Sequence, residues 1–233
     1  DPAVKQEDEV NRPSVISLNG KYHMWFTGQY KPGAADGRSW LCHAESIDGL
    51  KWIRTAGIVL AAETPWEKTA VMSPDVIFDG KEKVFKMWYS GGEQYEPNAI
   101  GYATSKDGVK WTKHEANPIF KADPGSGWEK HKVAGCQVVF MDGWYLMFYI
   151  GYRDEHYAQI GIARSKDGIS NWQRFPQNPI IFPGKDTWDG EACYKPYAIH
   201  DSKADLWRLW YNGRRGHCEQ IGMATRKGGD LWR

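Results

Sequence analysis

Three sets of polar residues recur along the chain at nearly constant spacing and could act together on a substrate. Asp8, Thr69, His131 and Glu191 are equivalent positions, as are Arg12, Ser73, Gly135 and Lys195. Ser14, Asp75, Gln137 and Tyr197 form a third column, at spacings of 61, 62 and 60 residues. The carboxylates Asp8, Asp75 and Glu191 offer acid–base chemistry, in which a protonated carboxyl gives a proton and an ionised one activates a nucleophile. Arg12, Lys195 and His131, with His217 further on, could hold an anion through charge-assisted and partly bidentate hydrogen bonds. Repeats agree where packing decides. These columns disagree in polarity, which marks them as candidates for function.

The elements that must position them are written in the same repeat. "SIDGLKW" (46–52), "SKDGVKW" (105–111) and "SKDGISNW" (165–172) recur, with a worn copy "RKGGDLW" at 226–232. Apolar segments such as "PSVIS" come first in each repeat. Aromatic runs follow: Met24-Trp25-Phe26, Met87-Trp88-Tyr89, Met147-Phe148-Tyr149 and Leu209-Trp210-Tyr211. Then come "IGYAT" (100–104) and its copies, and an Asp-Gly turn that exploits the tolerance of Gly for positive φ. Each unit reads as four antiparallel strands, the signature of a β-propeller blade. The "SKDG…W" element is a structural hairpin with its Trp packed between blades. The sequence therefore predicts an all-β chain, a single propeller domain over 1–233 with repeats at approximately 1–57, 58–116, 117–177 and 178–233. Linkers repeat too, at 117–129 and 178–189, with a partial copy at 1–7.

Composition narrows the function. The chain has 233 residues with net charge +1, 13 Trp, 12 Tyr and 25 Gly. That balance gives no reason to expect nucleic acid or an anionic membrane as partner, and no apolar run approaches the ~20 residues of a membrane helix. The four cysteines, Cys42, Cys136, Cys193 and Cys218, match no zinc spacing. They read as packed thiols. The chain begins at Asp1 without a visible leader, which leaves the compartment open between bacterial cytoplasm and an exported location.

The combination of "P-x-V-I", "Y-x-M-W-Y-x-G", "I-G-Y-A-T-S-x-D-G-x-x-W" and "N-P" resembles the glycoside hydrolase propellers, the arabinanase, β-xylosidase and invertase clan (family 43-like), with related mannoside phosphorylases. The resemblance covers essentially the whole chain. It implies blades whose innermost strands carry three carboxylates at the mouth of a central funnel, typically in five blades, whereas four repeats are legible here. The positions matching the family's base and helper aspartates are Arg12, Ser73 and Gly135, and the glutamate of its "E-x-P" element is Tyr194. The sequence thus departs from the family's catalytic pattern.

The residues themselves suggest Glu191 as general acid, Asp8 as general base and Asp75 as third carboxylate. A separation of about 5–5.5 Å between acid and partner means retention, and roughly 6.5–9.5 Å means inversion. Substrate contacts are expected from Arg12, His131, Gln137, Lys195, Arg214, His217 and Glu219. The loops after strand two, 28–40, 91–99, 151–159 and 213–220, carry much of this charge. The expected function is a glycoside hydrolase acting on an oligosaccharide or polysaccharide, with an anionic sugar suited to the basic residues. The alternatives are a glycoside phosphorylase of the same fold, in which phosphate replaces water, and a glycan-binding propeller without catalysis. No cofactor is expected. A structural calcium in the channel is compatible with the resemblance, and His131 and His217 with Glu219 or Glu191 are a weak candidate metal set.

Overall fold

The computed structural model describes residues 7–94 and 96–232. Most of the proposed linker copy at 1–7 lies outside them. The chain divides into two compact units, Asp1–Lys121 and Ala122–Arg233. Among the described residues, no helix is long and apolar enough to cross a membrane.

The first unit holds two β-propeller blades. β1 (Glu9–Leu18), β2 (Lys21–Tyr30), β3 (Arg38–Ser46) and β4 (Ile53–Leu60) form one antiparallel meander. β5 (Ala70–Asp79), β6 (Val84–Glu93), β7 (Glu96–Ser105) and β8 (Trp111–Lys113) form the next, and β9 (Phe120–Lys121) adds to β7. A single parallel bridge, Ser39 to Ala70, joins the two into one sheet path. The second unit repeats the plan. It contains β10 (Lys132–Met141), β11 (Trp144–Tyr152), β12 (Ala158–Ser165) and β13 (Gln173–Arg174), then β14 (Ala192–Asp201), β15 (Leu206–Arg215) and β16 (Cys218–Lys227). The last blade has three strands among the described residues.

The recurrent turn is explained by its hydrogen bonds. Asp107 Oδ1 accepts from the N–H groups of Val109 and Lys110, and Ser105 Oγ accepts from Gly108 N, whose φ is 76°. Asp48 and Asp167 repeat the arrangement. The turn also locks blades together. Trp25 Nε1 donates to Gly108 O at 2.7 Å, and the Trp25 ring meets Trp111 edge-on. The backbone bonds hold Asp48 and Asp107 below the usual carboxylate range. Lys86 and the turn N–H groups hold Asp79 down to about 2. A carboxyl with a depressed folded pKa contributes stability above its unfolded value, about 3.9, and loses it as pH falls through the folded value. The unfolding midpoint is therefore expected to be insensitive to these groups at neutral pH and to fall between pH 4 and about 2, as urea titrations at stepped pH would show.

A second module packs against strands two and three of each later blade. Trp66, Trp128 and Trp188 each lie flat on two glycines of strands two and three: Gly91 and Gly101, Gly151 and Gly161, Gly213 and Gly222. The next residue is a carboxylate. Glu67 and Glu129 are fully buried and Asp189 nearly so. Glu67 accepts from Tyr89 Oη and Lys113 Nζ, both at 2.8 Å, and from the N–H groups of Glu63 and Thr64. Glu129 takes Arg174, and Asp189 takes Tyr211 Oη at 2.8 Å. The first blade substitutes Glu7, bound by Arg54, and has Phe26 where the others have Tyr. A Cβ at Gly101 would stand 2.7 Å from Tyr89 Cζ and 2.8 Å from Trp66. Gly101→Ala is accordingly expected to cost about 1–3 kcal/mol, read as a lowered urea midpoint with an unchanged slope.

The "N-P" motif is structural as well. Asn117 accepts from Tyr102 N and donates to Tyr102 O, and Asn178 does the same with Ile162. Each asparagine side chain thus mimics a strand at the edge of strand three.

Candidate active site

The first strand of every blade is longer than "PSVIS" suggests, ten residues in each case, and each is bulged at one equivalent point. The register breaks between Asn11 and Ser14, Met72 and Asp75, Ala134 and Cys136, and Tyr194 and Tyr197. The bulged residues are the second polar column. Arg12, Ser73, Gly135 and Lys195 have φ of 53°, 52°, 28° and 55°. A non-glycine residue held in the left-handed region costs on the order of 1 kcal/mol or more, and such strain, like the bulge itself, concentrates where a side chain must be re-aimed. All four blades keep it although the residue types differ.

In the first unit, the Arg12 guanidinium crosses to the neighbouring blade. Its Nη1 donates to Ser73 Oγ at 2.8 Å and lies 3.0 Å from Met72 Sδ. Ser73 N donates to Thr27 Oγ1. Asp8 is exposed, and its Oδ2 accepts from Lys31 N at 2.7 Å. Asp75 is half-buried on β5, opposite Trp88. Its column also links blades. Ser14 Oγ accepts from Val76 N, and in the second unit Gln137 is held at both ends of its amide by Ala198, donating to O at 3.0 Å and accepting from N at 2.5 Å. Gln137 is nine-tenths buried in this clamp.

The second unit assembles most of the expected binding residues. The segment 213–220, expected as a loop, is a strand hairpin turning only at Gly216 and His217. Gly216 supplies φ of 59°, so β15 and β16 pair up to Arg215 and Cys218. Arg214 and Glu219 are therefore cross-strand partners. Arg214 Nε lies 3.8 Å from Glu191 Oε2, and its Nη2 donates to His156 O at 3.3 Å. Glu219 accepts from Tyr194 Oη and, at 2.6 Å, from Asn212 Nδ2, while Lys195 Nζ stands 3.8 Å away. Burial, then Glu219, pushes the Tyr194 hydroxyl up, so it stays a donor at neutral pH. Beside this group lies a cleft of about 610 Å³ lined by Lys130, His131, Arg153, Asp154, Glu155 and His156. His217 is exposed at the hairpin tip. Arg214 thus touches both Glu191 and the cleft.

Of the three carboxylates expected to share the chemistry, Asp8 and Asp75 belong to the first unit and Glu191 to the second. Sequence reasoning missed Lys130, which precedes His131 in the cleft wall, and the buried carboxylates Glu67, Glu129 and Asp189. The latter repeat in register after a Trp, a signal that was present in the linkers.

A family model described as the glycosyl hydrolases family 32 N-terminal domain matches residues 6–177. The chain belongs to this family. Among curated relatives, an uncharacterized protein of Mycobacterium tuberculosis is 27% identical over 86% of this chain and 66% of its own length. A 1,2-beta-oligomannan phosphorylase of a Thermoanaerobacter species is 26% identical over 91% of this chain and 69% of its own. The chain thus spans about two thirds of the length of these relatives. A solved structure from the family 130 mannoside phosphorylases, a family containing glycoside hydrolases that target β-1,2-mannosidic linkages, matches 97% of this chain and 68% of its own at a TM-score of 0.71 and 19% identity. The likeness to that structure is one of fold.

Proposed function

We propose that the chain belongs to an enzyme that cleaves a glycosidic bond by phosphorolysis. One observation carries this reading: Glu191 lies beside Arg214, next to a cleft walled by Lys130, His131, Arg153 and His156, with Lys195 on the adjoining bulge; of the two carboxylates in the same wall, Asp154 is held by Arg153 and the N–H groups of His156 and Tyr157, and Glu155 is exposed. A hydrolase needs a second carboxylate to activate water. A phosphorylase needs one acid and a cationic seat, because phosphate is itself the nucleophile. Glu219 is engaged by Tyr194, Asn212 and Lys195 and serves to orient them.

In this scheme the Glu191 carboxyl gives its proton to the glycosidic oxygen as the bond to the anomeric carbon breaks. An oxygen of phosphate forms the new bond to that carbon, and the proton that phosphate gives up restores the Glu191 carboxyl. The products are a sugar 1-phosphate and a saccharide shortened by one unit. Arg214, His131 and His156 hold phosphate by charge-assisted bonds, and Lys195 adds a point charge. The relatives make β-linked mannosides the first substrates to test. The expected result is consumption of a β-1,2-mannooligosaccharide that requires inorganic phosphate and shows a KM for phosphate raised about tenfold (~1.4 kcal/mol) in Lys195→Met. Release of reducing sugar without phosphate would instead identify a hydrolase. Glycan binding without turnover would identify a binding module.

A further inference from the structure

Besides Phe26, the first blade departs from the other three at a second place on strands two and three. His23 on β2 stands opposite Glu45 on β3, and Trp25 opposite His43. Side chains alternate across a strand, so His43 and Glu45, two residues apart, share a face with His23. The equivalent positions are Lys86, Tyr102 and Thr104 in the second blade, Leu146, Ile162 and Arg164 in the third, and Arg208, Met223 and Thr225 in the fourth. None of those trios contains two metal-ligating groups. Between these positions the repeats agree: Met24, Met87, Met147 and Leu209 each face an alanine.

We propose that His23, His43 and Glu45 form a binding site for one divalent transition-metal ion of the zinc class. The donor atoms of the three side chains lie within 4.8 Å of one another, the one such group among the described residues. His43 is fully buried. Its Nδ1 lies 2.5 Å from Thr55 Oγ1, which fixes the ring by its second nitrogen and leaves Nε2, a buried atom without a hydrogen-bond partner. That is the arrangement by which a ligating histidine is oriented in metal sites. His23 Nδ1 is also buried without a hydrogen-bond partner, 3.5 Å from Glu45 Oε1. Glu45 Oε2 accepts from Lys21 Nζ at 3.2 Å, which holds the carboxylate while Oε1 stays available. Two imidazoles and one carboxylate suit zinc, cobalt, nickel or copper rather than calcium or magnesium.

Tetrahedral bonds of about 2.0–2.1 Å place donor atoms about 3.3 Å apart, so the site closes by rotation of His23 and Glu45, which keep 12% and 30% side-chain exposure. Trp25, Phe85 and the His43 ring all pack against the His23 ring. The site is independent of the reading of the second unit, because it lies within the first blade.

The test uses the whole chain with zinc ion alone. The wild-type protein is expected to retain one zinc per chain after desalting and to show a saturable rise in Tm. His23→Gln and Glu45→Gln are each expected to abolish retention, with the metal-free Tm close to wild type for Glu45→Gln, whose side chain is partly exposed. Thr55→Val should still bind, about 10–100-fold more weakly. Cobalt in place of zinc should give visible absorption of nitrogen and oxygen ligation without a thiolate charge-transfer band. No saturable uptake, or uptake unchanged in both variants, would overturn the proposal and assign any zinc binding to exposed histidines such as His131 and His217.

Discussion

Glu191→Gln is expected to lower kcat for phosphorolysis of a mannooligosaccharide by about 10²- to 10⁴-fold, the range associated with loss of a positioned proton donor. The amide preserves the shape of the side chain and the backbone bond from Glu191 N to Arg214 O, so the fold should be unchanged by circular dichroism. The leaving group decides the size of the effect. A natural sugar alcohol needs the proton, whereas a nitrophenolate does not. The variant should therefore recover most of its activity on nitrophenyl glycosides in the presence of phosphate. An unchanged kcat on the natural saccharide would remove Glu191 from the chemistry and turn attention to Asp75 and Asp8 in the other unit.

The largest stability effect is expected at Glu67. Its carboxylate is fully buried and receives Lys113, Tyr89 and two backbone N–H groups. Burial raises its pKa. The Glu63 N–H, Lys113 and Tyr89 outweigh that and bring it below the usual range. Glu67→Ala leaves the largely buried Lys113 ammonium with only Ala61 O and the exposed Glu63 as partners. Breaking a buried pair from one side typically costs about 3–5 kcal/mol. Equilibrium unfolding in urea would measure it. The double variant Glu67→Ala with Lys113→Met should recover part of the loss, since no unpaired charge then remains. A loss below about 1 kcal/mol would mean that water reaches the module.

Much of the fold was legible because some positions admit few residues. The Asp-Gly turns need an acceptor on the first residue and positive φ on the second, so Asp48-Gly49, Asp107-Gly108 and Asp167-Gly168 recur almost unchanged. The Met-Trp-Tyr runs recur because strands two and three pack on both faces. The bulge was not legible as a bulge. Arg12, Ser73, Gly135 and Lys195 share a backbone conformation and no side-chain chemistry. The repeated Trp and acid at 66–67, 128–129 and 188–189 could be seen as a pattern, but not that each acid would be buried on a strand-two tyrosine. That depends on partners twenty or more residues away. The site was legible only in part. His131 and Lys195 were singled out by the disagreement among repeats, and Arg214 and Glu219 by the density of charge in the 213–220 segment. Gln137 belonged to the same polar column yet clamps two blades, because an amide can match both backbone groups of a neighbouring strand.

The central claim is that phosphate, not water, accepts the sugar at the Glu191–Arg214 site. The most direct measurement is a ³¹P NMR time course of the protein with β-1,2-mannooligosaccharide and inorganic phosphate. A new sugar 1-phosphate resonance is expected to grow as inorganic phosphate declines and to be absent with Glu191→Gln. Its coupling to the anomeric proton would report retention or inversion. Consumption of the saccharide with the inorganic phosphate signal unchanged would mean that water, not phosphate, accepts the sugar.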